Sequence, residues 1–286
     1  MSELLKGAEV VEALKAELSE QSEQLIKKGI IPRMEILRVG ERPDDLYYER
    51  SAIKRMESVN IQCHVTILPM DVNQELLVKT FRDINDNPKI HGILLFRPLP
   101  EHLDETPLKE IINPYKDIDS MSPINAAKVF IGDESGYAPC TPEAVIDILD
   151  YYNIELEGKN VVVIGRSMVV GKPLSMLLVK RNATVTICHT RTKNLAKVCS
   201  EADILIAAAG KAKMISRDMV GVNSIVIDVG INVDDDGKLC GDVDFDDVQD
   251  KVRYISPVPG GVGGVTSMVL AKHVIRGTKY FETKEL

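Results

Sequence analysis

The 286-residue sequence contains few cysteines, and no two of them form a C-x-x-C pair. This scatter gives no sign of a zinc site or of a disulfide framework. We therefore expect no bound metal, and we interpret the five cysteines as reduced thiols in the core of a cytoplasmic protein: Cys63, Cys140, Cys188, Cys199 and Cys240.

Positive charge is not in excess either. The formal net charge of -8 disfavours binding to nucleic acid or to an anionic membrane surface. The first residues include Glu3 and Glu9 and lack the apolar core of a signal peptide, and no later apolar run is long enough to span a membrane. The expected partner is a small molecule, and the expected location is the cytoplasm.

What the sequence does contain is a regular alternation of helix and strand patterns. Its length and its 44% hydrophobic content favour two globular domains. Apolar strands separated by amphipathic helices indicate parallel sheets covered on both faces. The first half predicts helices at Glu9–Lys28, Asp44–Val59 and Asn73–Asn85 and strands at Met34–Val39, Gln62–Leu68 and His91–Phe96.

The second half repeats the alternation after a looser stretch. Residues 114–142 contain glycine and proline without a clear period, which is typical of a loop that crosses between domains. Four regularly spaced strands then predict a Rossmann-type domain. The predicted elements are a helix at Pro142–Tyr152, strands at Val161–Gly165, Thr184–His189, Asp203–Gly210 and Ser224–Gly230, and a last helix at Val265–Ile275.

These elements predict a two-domain α/β fold. The N-terminal parallel α/β domain is expected at residues 1–140 and the Rossmann-type domain at residues 141–264. The C-terminal helix, residues 265–286, is expected to pack back on the N-terminal domain, because the Rossmann-type domain already has its strands.

A glycine-containing loop follows the first strand of the second half. VVVIGRSMVVGKP places Gly165 at a strand end and Gly171 at a helix start, where a pyrophosphate can meet free backbone N–H groups and the helix dipole. Pro173 suits the first helical position, because its missing N–H has no partner there. The spacing departs from G-x-G-x-x-G, so two ordinary turn glycines remain the alternative.

The next strand ends in CHTRT, where an NAD-specific Rossmann domain usually offers an acid to the ribose 2′-hydroxyl. No acid is present there. Thr190 and Arg191, with Arg166 in the preceding loop, offer a hydroxyl and guanidinium groups that suit a 2′-phosphate. We therefore predict NADP as the cofactor, with solvated surface arginines as the alternative.

Three strings stand in an order that is characteristic of one family. They are G-R-S-x-x-V-G-x-P at Gly165–Pro173, V-I-D-V-G-I-N at Val226–Asn232 and P-V-P-G-G-V-G at Pro257–Gly263. RVG, GILLFRPLP, KDID, PCTP and GDV add to the pattern. Over nearly its whole length the chain resembles the methylenetetrahydrofolate dehydrogenase/cyclohydrolase family.

The resemblance implies a homodimer with folate bound to the N-terminal domain, a dinucleotide bound to the Rossmann domain and the active site in the cleft between them. Members of the family oxidise 5,10-methylenetetrahydrofolate to the 5,10-methenyl cation with NAD(P). They usually then hydrolyse the cation to 10-formyltetrahydrofolate.

The resemblance also implies roles for individual residues. Tyr48 should stack beside the pterin and aminobenzoate groups, and Asp119 should hydrogen-bond the polar edge of the pterin, so both are expected to be catalytic and substrate-binding. A loop-capping carboxylate is the alternative for Asp119. Pro259, Gly260 and Gly261 should let the backbone approach the substrate. Cofactor contacts are implied for Gly165, Arg166, Ser167, Gly171, Pro173, Thr190, Arg191 and Ile231.

Two departures from the family concern its hydrolytic step. The family has a lysine four residues after the tyrosine, on the same helix face, and this chain has Ala52. The family has a glutamine in G-I-L-V-Q-L-P-L-P, and this chain has Phe96, followed by Arg97. Asp45 and Gly264 stand where the family has serine and proline, which leaves the finer substrate contacts open.

No neighbour is a convincing substitute for the lysine. Lys54 lies about 200° from Ala52 around a helix. Arg55 is nearer in angle, but a guanidinium cannot give up a proton at working pH. A register shifted to Tyr47 would bring Ser51 to the critical position, which does not help.

We therefore predict an NADP-dependent methylenetetrahydrofolate dehydrogenase of one-carbon metabolism in which cyclohydrolase activity is weak or absent. Loss of the hydride is driven by the adjacent nitrogen lone pair and needs no protein base, whereas hydrolysis must activate water and move protons. A bifunctional enzyme that uses other groups and a non-catalytic folate- or nucleotide-binding protein remain the alternatives.

Overall fold

A computed structural model describes residues 2–283, apart from the side chain of Asp44. The chain divides into two compact units. Residues 2–12 and 141–266 form what we call the six-stranded unit, and residues 13–140 and 267–283 form the three-stranded unit.

The bounds of the elements are as follows. The strands are β1 (Glu3–Leu4), β2 (Arg33–Val39), β3 (Gln62–Leu68), β4 (Gly92–Leu95), β5 (Asn160–Ile164), β6 (Thr184–Cys188), β7 (Ile204–Ala207), β8 (Ile225–Asp228), β9 (Asn232–Val233), β10 (Leu239–Cys240) and β11 (Tyr254–Ile255). The helices are α1 (Gly7–Lys27), α2 (Pro43–Glu57), α3 (Gln74–Asp86), α4 (Thr106–Ile111), α5 (Pro123–Ile131), α6 (Cys140–Tyr151), α7 (Gly171–Lys180), α8 (Leu195–Ser200), α9 (Phe245–Val248) and α10 (Val262–Glu282), and a 3-10 helix lies at Arg217–Met219.

The six-stranded unit is built on a parallel sheet with the strand order β1-β11-β8-β7-β5-β6. The central strand β7 is buried throughout, and β5 is buried after its first residue. Strands covered on both faces read as continuous apolar runs, which explains their sequences. The chain leaves β5 for β6 on one side and returns to β7 on the other, so the carboxyl end of β5 is the switch point at which such sheets bind ligands.

The three-stranded unit has the parallel order β3-β2-β4. Helix α3 begins after Asn73, whose side chain accepts a hydrogen bond from the Leu76 N–H and so caps the helix. Its buried residues Leu77, Phe81 and Ile84 follow a helical period and belong to the core of this unit. This packing fixes the carboxyl ends of β2 and β4, where the candidate site begins.

The structure confirms the predicted two-domain α/β fold, and three differences are informative. The first residues belong to the six-stranded unit, not to the N-terminal domain that we expected from residue 1, because β1 pairs with β11. The short strands β1 and β11 add to the four predicted Rossmann strands at one edge of the sheet. The expected loop at 114–142 contains helix α5. The side chain of Ser122 caps the start of this helix, and Gly132, in a left-handed conformation, ends it.

The C-terminal helix extends beyond both ends of the predicted segment Val265–Ile275. Helix α10 begins at Val262, and its residues from 267 onward belong to the three-stranded unit. Residues 284–286 of the predicted helix lie outside the described residues. Within residues 2–283, no helix combines the length and the apolar content needed to cross a membrane.

Candidate functional site

Tyr48 lies on α2 beside the end of β4. Its ring and that of Phe96 have centroids 5.5 Å apart, with the planes inclined at 45°. Tyr47 is 73% exposed, against 42% for Tyr48, so Tyr48 is the more buried of the two tyrosines. The surrounding protein desolvates the phenol and, together with the charge of Asp119, raises the pKa of Tyr48 above its ordinary value. Tyr48 therefore stays protonated at neutral pH.

A buried ion pair holds this part of α2 against the sheet. The Arg38 side chain, on β2, is buried, and its Nε donates to Glu49 Oε2 over 2.7 Å. Arg38 also donates to the carbonyl oxygen of Gly40. Breaking such a pair would leave an uncompensated buried charge, so the residue that follows Tyr48 is firmly placed.

The KDID string divides into two structural residues and one open carboxylate. Lys116 Nζ donates to the carbonyl oxygens of Asn85 and Asn87, which satisfies the end of α3. Asp117 is buried and accepts hydrogen bonds from Met121 N, Ser122 N and Asn125 Nδ2. Asp119 is 35% exposed in its side chain, so it is the acid of this string that can meet a ligand.

Asp119 is held by Arg97, a residue to which the sequence assigned no role. Arg97 Nη2 donates to Asp119 Oδ2 over 3.1 Å. The two residues meet because Ile93, on β4, forms a parallel bridge with Asp117. The residues after Asp117 therefore run in the same direction as β4, and Asp119 comes near Arg97. Among the described residues, Oδ1 of Asp119 has no hydrogen-bond donor. One carboxylate oxygen is thus fixed by the protein and the other is available.

Ser120 is a second residue that sequence reasoning missed. Its φ of +54° lies in the left-handed region, where a side chain is strained. In the part of the chain that the structure describes, its buried hydroxyl oxygen has no hydrogen-bond partner. Strain and an unsatisfied polar atom directly after Asp119 are the features that accumulate at functional sites.

The residues near the family's lysine position are arranged as the helix period predicts. Ala52 is 1% exposed and lies one turn after Tyr48. Lys54 and Ser51 are exposed, and Arg55 donates from Nε to Ser267 Oγ over 3.2 Å. No titrating amine among the described residues of α2 takes the place of the lysine on this face.

In the six-stranded unit, the loop after β5 turns back on itself. A Cβ atom at Gly165 would lie 2.3 Å from the Ala208 carbonyl oxygen, and one at Gly171 would lie 2.1 Å from the Gly165 carbonyl oxygen. Both positions therefore require glycine. Ser167 Oγ accepts a hydrogen bond from Val170 N. Helix α7 begins at Gly171, so Pro173 is its third residue and not the first as predicted. The Lys172 N–H next to it donates to the carbonyl oxygen of Ser167.

The strand ends beside this loop carry two cations. Gly165 N donates to the carbonyl oxygen of Cys188, at the end of β6, so the residues after β5 and β6 are neighbours. Arg166, Thr190 and Arg191 are exposed. The backbone around Arg191 is held by its N–H, which donates to His189 Nδ1. Within residues 2–283, neither guanidinium has a protein partner, so both can bind an anion.

The glycine-rich segment before α10 lines a small cavity. The cavity has a volume of about 200 Å3 and brings Ile231 together with Pro259, Gly260 and Gly261. Ile231 is largely exposed. Gly260 has a φ of +106°, and its carbonyl oxygen accepts from Gly7 N, at the start of α1. This backbone lies open to a ligand without side chains in the way.

Two buried aspartates hold the neighbouring family strings in place. Asp228 accepts hydrogen bonds from Gly230 N, Asp242 N and Val243 N. A Cβ at Gly241 would lie 1.9 Å from Asp228 Oδ2, and one at Gly230 would lie 2.3 Å from Asp242 Oδ1. Each aspartate thus occupies the space left by a glycine of the other string. Desolvation raises the pKa of Asp228 to about 6.

Asp242 extends this arrangement to the loop after β7. Its carboxylate accepts hydrogen bonds from the N–H groups of Ala209, Gly210 and Lys211 and from Asn232 Nδ2. The VIDVGIN and GDV strings are therefore hydrogen-bonded to each other, and these bonds fix the backbone next to Ile231. Their aspartates have structural partners and no open oxygen comparable to that of Asp119.

Comparison with known proteins gives consistent matches over the chain. The model of the tetrahydrofolate dehydrogenase/cyclohydrolase catalytic domain matches residues 5–119, and that of the NAD(P)-binding domain of the same family matches residues 139–282. The bifunctional protein FolD of Clostridioides difficile (strain 630) is 52% identical over 282 residues, which cover 99% of this chain and 98% of that protein.

Solved structures agree with the sequence matches. The crystal structure of the bifunctional enzyme FolD from Campylobacter jejuni superimposes with a TM-score of 0.95 at 39% identity, over 98% of this chain and 99% of that one. The Trypanosoma brucei methylenetetrahydrofolate dehydrogenase-cyclohydrolase, complexed with NADP cofactor and inhibitor, has a TM-score of 0.90 at 33% identity, over 98% of each chain.

Proposed function

This chain belongs to the tetrahydrofolate dehydrogenase/cyclohydrolase family, and on that premise we propose that it is an NADP-dependent methylenetetrahydrofolate dehydrogenase. It removes a hydride from the methylene carbon of 5,10-methylenetetrahydrofolate and leaves the 5,10-methenyl cation. The observation that carries this proposal is that Asp119, which keeps one oxygen open, lies close enough to the Tyr48 phenol for its charge to raise the pKa of the tyrosine.

Tyr48 and Asp119 can together hold the reduced folate in place. The tyrosine offers a flat face and a protonated hydroxyl, and Asp119 offers an anionic acceptor to the N–H groups of the pterin. The nitrogen lone pairs beside the methylene carbon drive the departure of the hydride, so no protein base is required at that carbon. The protein's contribution is position, and holding two reactants in productive geometry supplies a large part of the rate.

The residues of the six-stranded unit fit NADP. Gly165 and Gly171 leave the space that a Cβ atom would fill, at the end of a strand and the start of α7, which is where a pyrophosphate binds. Arg166 and Arg191 are exposed cations without protein partners in the described chain, suited to the 2′-phosphate. When bound, NADP supplies the hydride acceptor. The related T. brucei enzyme is complexed with NADP in its crystal structure, which supports this choice.

We further propose that hydrolysis of the methenyl cation is weak or absent. The residue one turn after Tyr48 is the buried Ala52, and the neighbour of the Tyr48 ring is the buried Phe96. Neither can move a proton or orient water. General acid–base assistance commonly contributes about 10²–10⁴-fold, so a site without it should leave hydrolysis close to the solvent rate.

A bifunctional enzyme is the second candidate, favoured by the relative at 52% identity that is named a bifunctional protein. One experiment separates the two. The purified protein is supplied with 5,10-methylenetetrahydrofolate and NADP or NAD, and NADPH or NADH formation and methenyl absorbance are followed together. Oxidation with accumulation of the methenyl cation supports the proposal. Decay of the cation as fast as it forms, compared with buffer at equal pH, supports the bifunctional enzyme.

The remaining expectations also stay predictions. The family resemblance implies a homodimer, and light scattering of the purified protein would give its mass in solution. A cytoplasmic location and the lack of nucleic-acid partners are predicted from the charge and the apolar pattern of the sequence, and the folate substrate is predicted from the resemblance. Absence of any NADP-linked oxidation would favour a non-catalytic folate- or nucleotide-binding protein.

A further inference from the structure

We infer that Arg97 is a positioning residue that orients Asp119 for the reduced folate and so sets how tightly this chain binds its substrate. This inference rests on the proposed dehydrogenase function. It concerns a residue at which this chain departs from its family's leucine, and it gives a chemical reason for that departure.

The geometry places Arg97 where it can act on Asp119 and not on the bulk of the fold. Its Nη2 lies 3.1 Å from Asp119 Oδ2, and the two side chains are 27% and 35% exposed. An ion pair this accessible contributes little to stability, because water screens it. Arg97 nevertheless follows Phe96, whose ring contacts that of Tyr48 just after β4, and the charge of Asp119 acts on the Tyr48 phenol. Arg97 is therefore better placed to serve ligand binding than folding.

The guanidinium gives Asp119 a defined direction. A carboxylate on a partly exposed loop can rotate, and each rotamer presents different lone pairs to a ligand. With Oδ2 held by Arg97, Oδ1 is the oxygen that remains for the pterin N–H groups. A bound folate would cover the pair and remove water from it, and the hydrogen bond from Arg97 then strengthens because the local dielectric falls.

Arg97 cannot replace the lysine that the family has four residues after its tyrosine. A guanidinium stays charged at working pH and gives up no proton. It can hold Asp119 in both the ground state and the transition state, but it cannot assist the addition of water. A cation of this kind is compatible with an enzyme that oxidises the folate and releases the methenyl cation.

A contact made equally in the ground state and the transition state changes KM and leaves kcat unchanged. For Arg97→Leu we therefore expect KM for 5,10-methylenetetrahydrofolate to rise about ten-fold, with kcat within about two-fold of the wild-type value. Arg97→Lys keeps the charge without the planar fork and should recover part of the loss. The KM for NADP should not change in either variant.

The pairing itself is tested in a second background. In Asp119→Asn, where the carboxylate is absent, adding Arg97→Leu should change KM by less than about two-fold, because the partner of Arg97 is already lost. Lys109→Leu is the matched control: it also removes one cation from the three-stranded unit, where Lys109 pairs with Glu105, and it should leave KM and kcat unchanged.

The possible outcomes separate this inference from the proposed function. A wild-type protein without NADP-linked folate oxidation overturns the proposed function. An active wild type with KM unchanged in Arg97→Leu overturns only the role of Arg97. An equal rise in KM in the wild-type and Asp119→Asn backgrounds overturns the pairing, because it would mean that Arg97 binds the substrate by itself. Should Arg97→Leu fold poorly, Arg97→Lys is compared in the wild-type and Asp119→Asn backgrounds. A rise in KM that is present in the first background and absent in the second supports the pairing, and an equal rise in both or no rise in either overturns it.

Discussion

The rings of Tyr48 and Phe96 lie 5.5 Å apart between centroids and are inclined at 45°. Phe96, directly after β4, thus contacts the tyrosine from the position at which the family has a glutamine. The contact supports the orientation of the tyrosine ring but offers no hydrogen bond to water or to a reacting proton. Under the proposed function, this face holds a flat ligand against the Tyr48 ring, and Asp119 provides its polar contact.

Asp119→Ala should weaken the use of folate far more than the binding of NADP. A hydrogen bond from a ligand to a charged group is worth about 1.5–3 kcal/mol, so kcat/KM for the folate should fall about ten- to a hundred-fold. Glu101→Ala removes an exposed acid from the same unit and serves as the control. An unchanged kcat/KM for the folate in Asp119→Ala would return Asp119 to a loop-capping role.

NADP should be preferred over NAD, and Arg191→Ala should narrow the preference. Loss of a guanidinium from a phosphate removes a charge-assisted hydrogen bond, so kcat/KM for NADP should fall about ten-fold while that for NAD stays constant. Lys193→Ala removes a nearby exposed cation and should alter neither value. If the wild type already uses NAD as efficiently as NADP, Arg166 and Arg191 are ordinary surface residues.

Ser120→Gly should stabilise the protein. The substitution relieves a φ of +54° and removes a buried hydroxyl that has no partner in the described chain, whereas the greater freedom of glycine in the unfolded chain opposes the gain. We expect a net increase of about 1 kcal/mol in the free energy of unfolding. Asn182→Gly, at an exposed residue with φ of +62°, should have a smaller effect because asparagine tolerates this conformation.

Urea unfolding of both variants measures the difference. A loss of stability in Ser120→Gly would show that the serine hydroxyl has a partner in solution, such as an ordered water. A rise in KM for folate without a change in stability would instead place this hydroxyl at the ligand.

Asp228 should make stability depend on pH. Desolvation raises its pKa to about 6, against roughly 3.9 for aspartate in an unfolded chain. The folded state therefore binds this proton more tightly, so the site favours folding more as pH falls through 6 toward 4 and less as pH rises. Relative to Asp228→Asn, which does not titrate, the wild-type free energy of unfolding should gain about 1–3 kcal/mol between pH 7 and 4.5.

Unfolding curves of the two proteins at both pH values test this difference. Taking the difference between wild type and Asp228→Asn removes the contributions of the other acids, among them Asp104, Asp133 and Asp234, whose pKa values are lowered by hydrogen bonds. Parallel pH dependences in the two proteins would mean that Asp228 does not titrate in this range.

The fold could be predicted where the sequence contains long periodic elements. Strands β5 and β7 are buried, so their apolar runs are continuous. Strands β1 and β11 have two residues each, too few for any period, and their pairing depends on the folded sheet. Helix α5 was missed because glycine and proline around it suggested a loop, although Ser122 and Pro123 carry an ordinary helix start.

The candidate site was predictable to a similar degree. Tyr48 and Asp119 came from strings that resemble a family, and their surroundings did not. Arg97 and Asp119 are 22 positions apart, and their contact depends on the bridge between Ile93 and Asp117. Local sequence contains no sign of such a bridge, so the partner of Asp119 had to be read from the structure.

Replacing Ala52 by Lys together with Phe96 by Gln should create measurable hydrolysis of the methenyl cation. Ala52→Lys returns an ammonium to the helix face of Tyr48, one turn away, and Phe96→Gln supplies a donor and an acceptor that can orient it. Because Ala52 is 1% exposed, the lysine alone would overpack its surroundings. Phe96→Gln removes the ring beside Tyr48 and so also provides space.

The two changes should therefore be coupled. Each single variant is expected to hydrolyse the cation at nearly the wild-type rate, since an unoriented lysine is rarely productive and a glutamine alone transfers no proton. Even a poorly tuned pair should exceed the wild-type rate about ten-fold, given that acid–base assistance is commonly worth about 10²–10⁴-fold. Loss of methenyl absorbance, measured against buffer at equal pH for the wild type, both single variants and the double variant, gives the coupling directly.

The control is Ala52→Met combined with Phe96→Gln. Methionine is similar to lysine in side-chain length but lacks the amine, so this variant should stay at the background rate. Hydrolysis by that variant would show that added space, and not the ammonium, admits the reacting water.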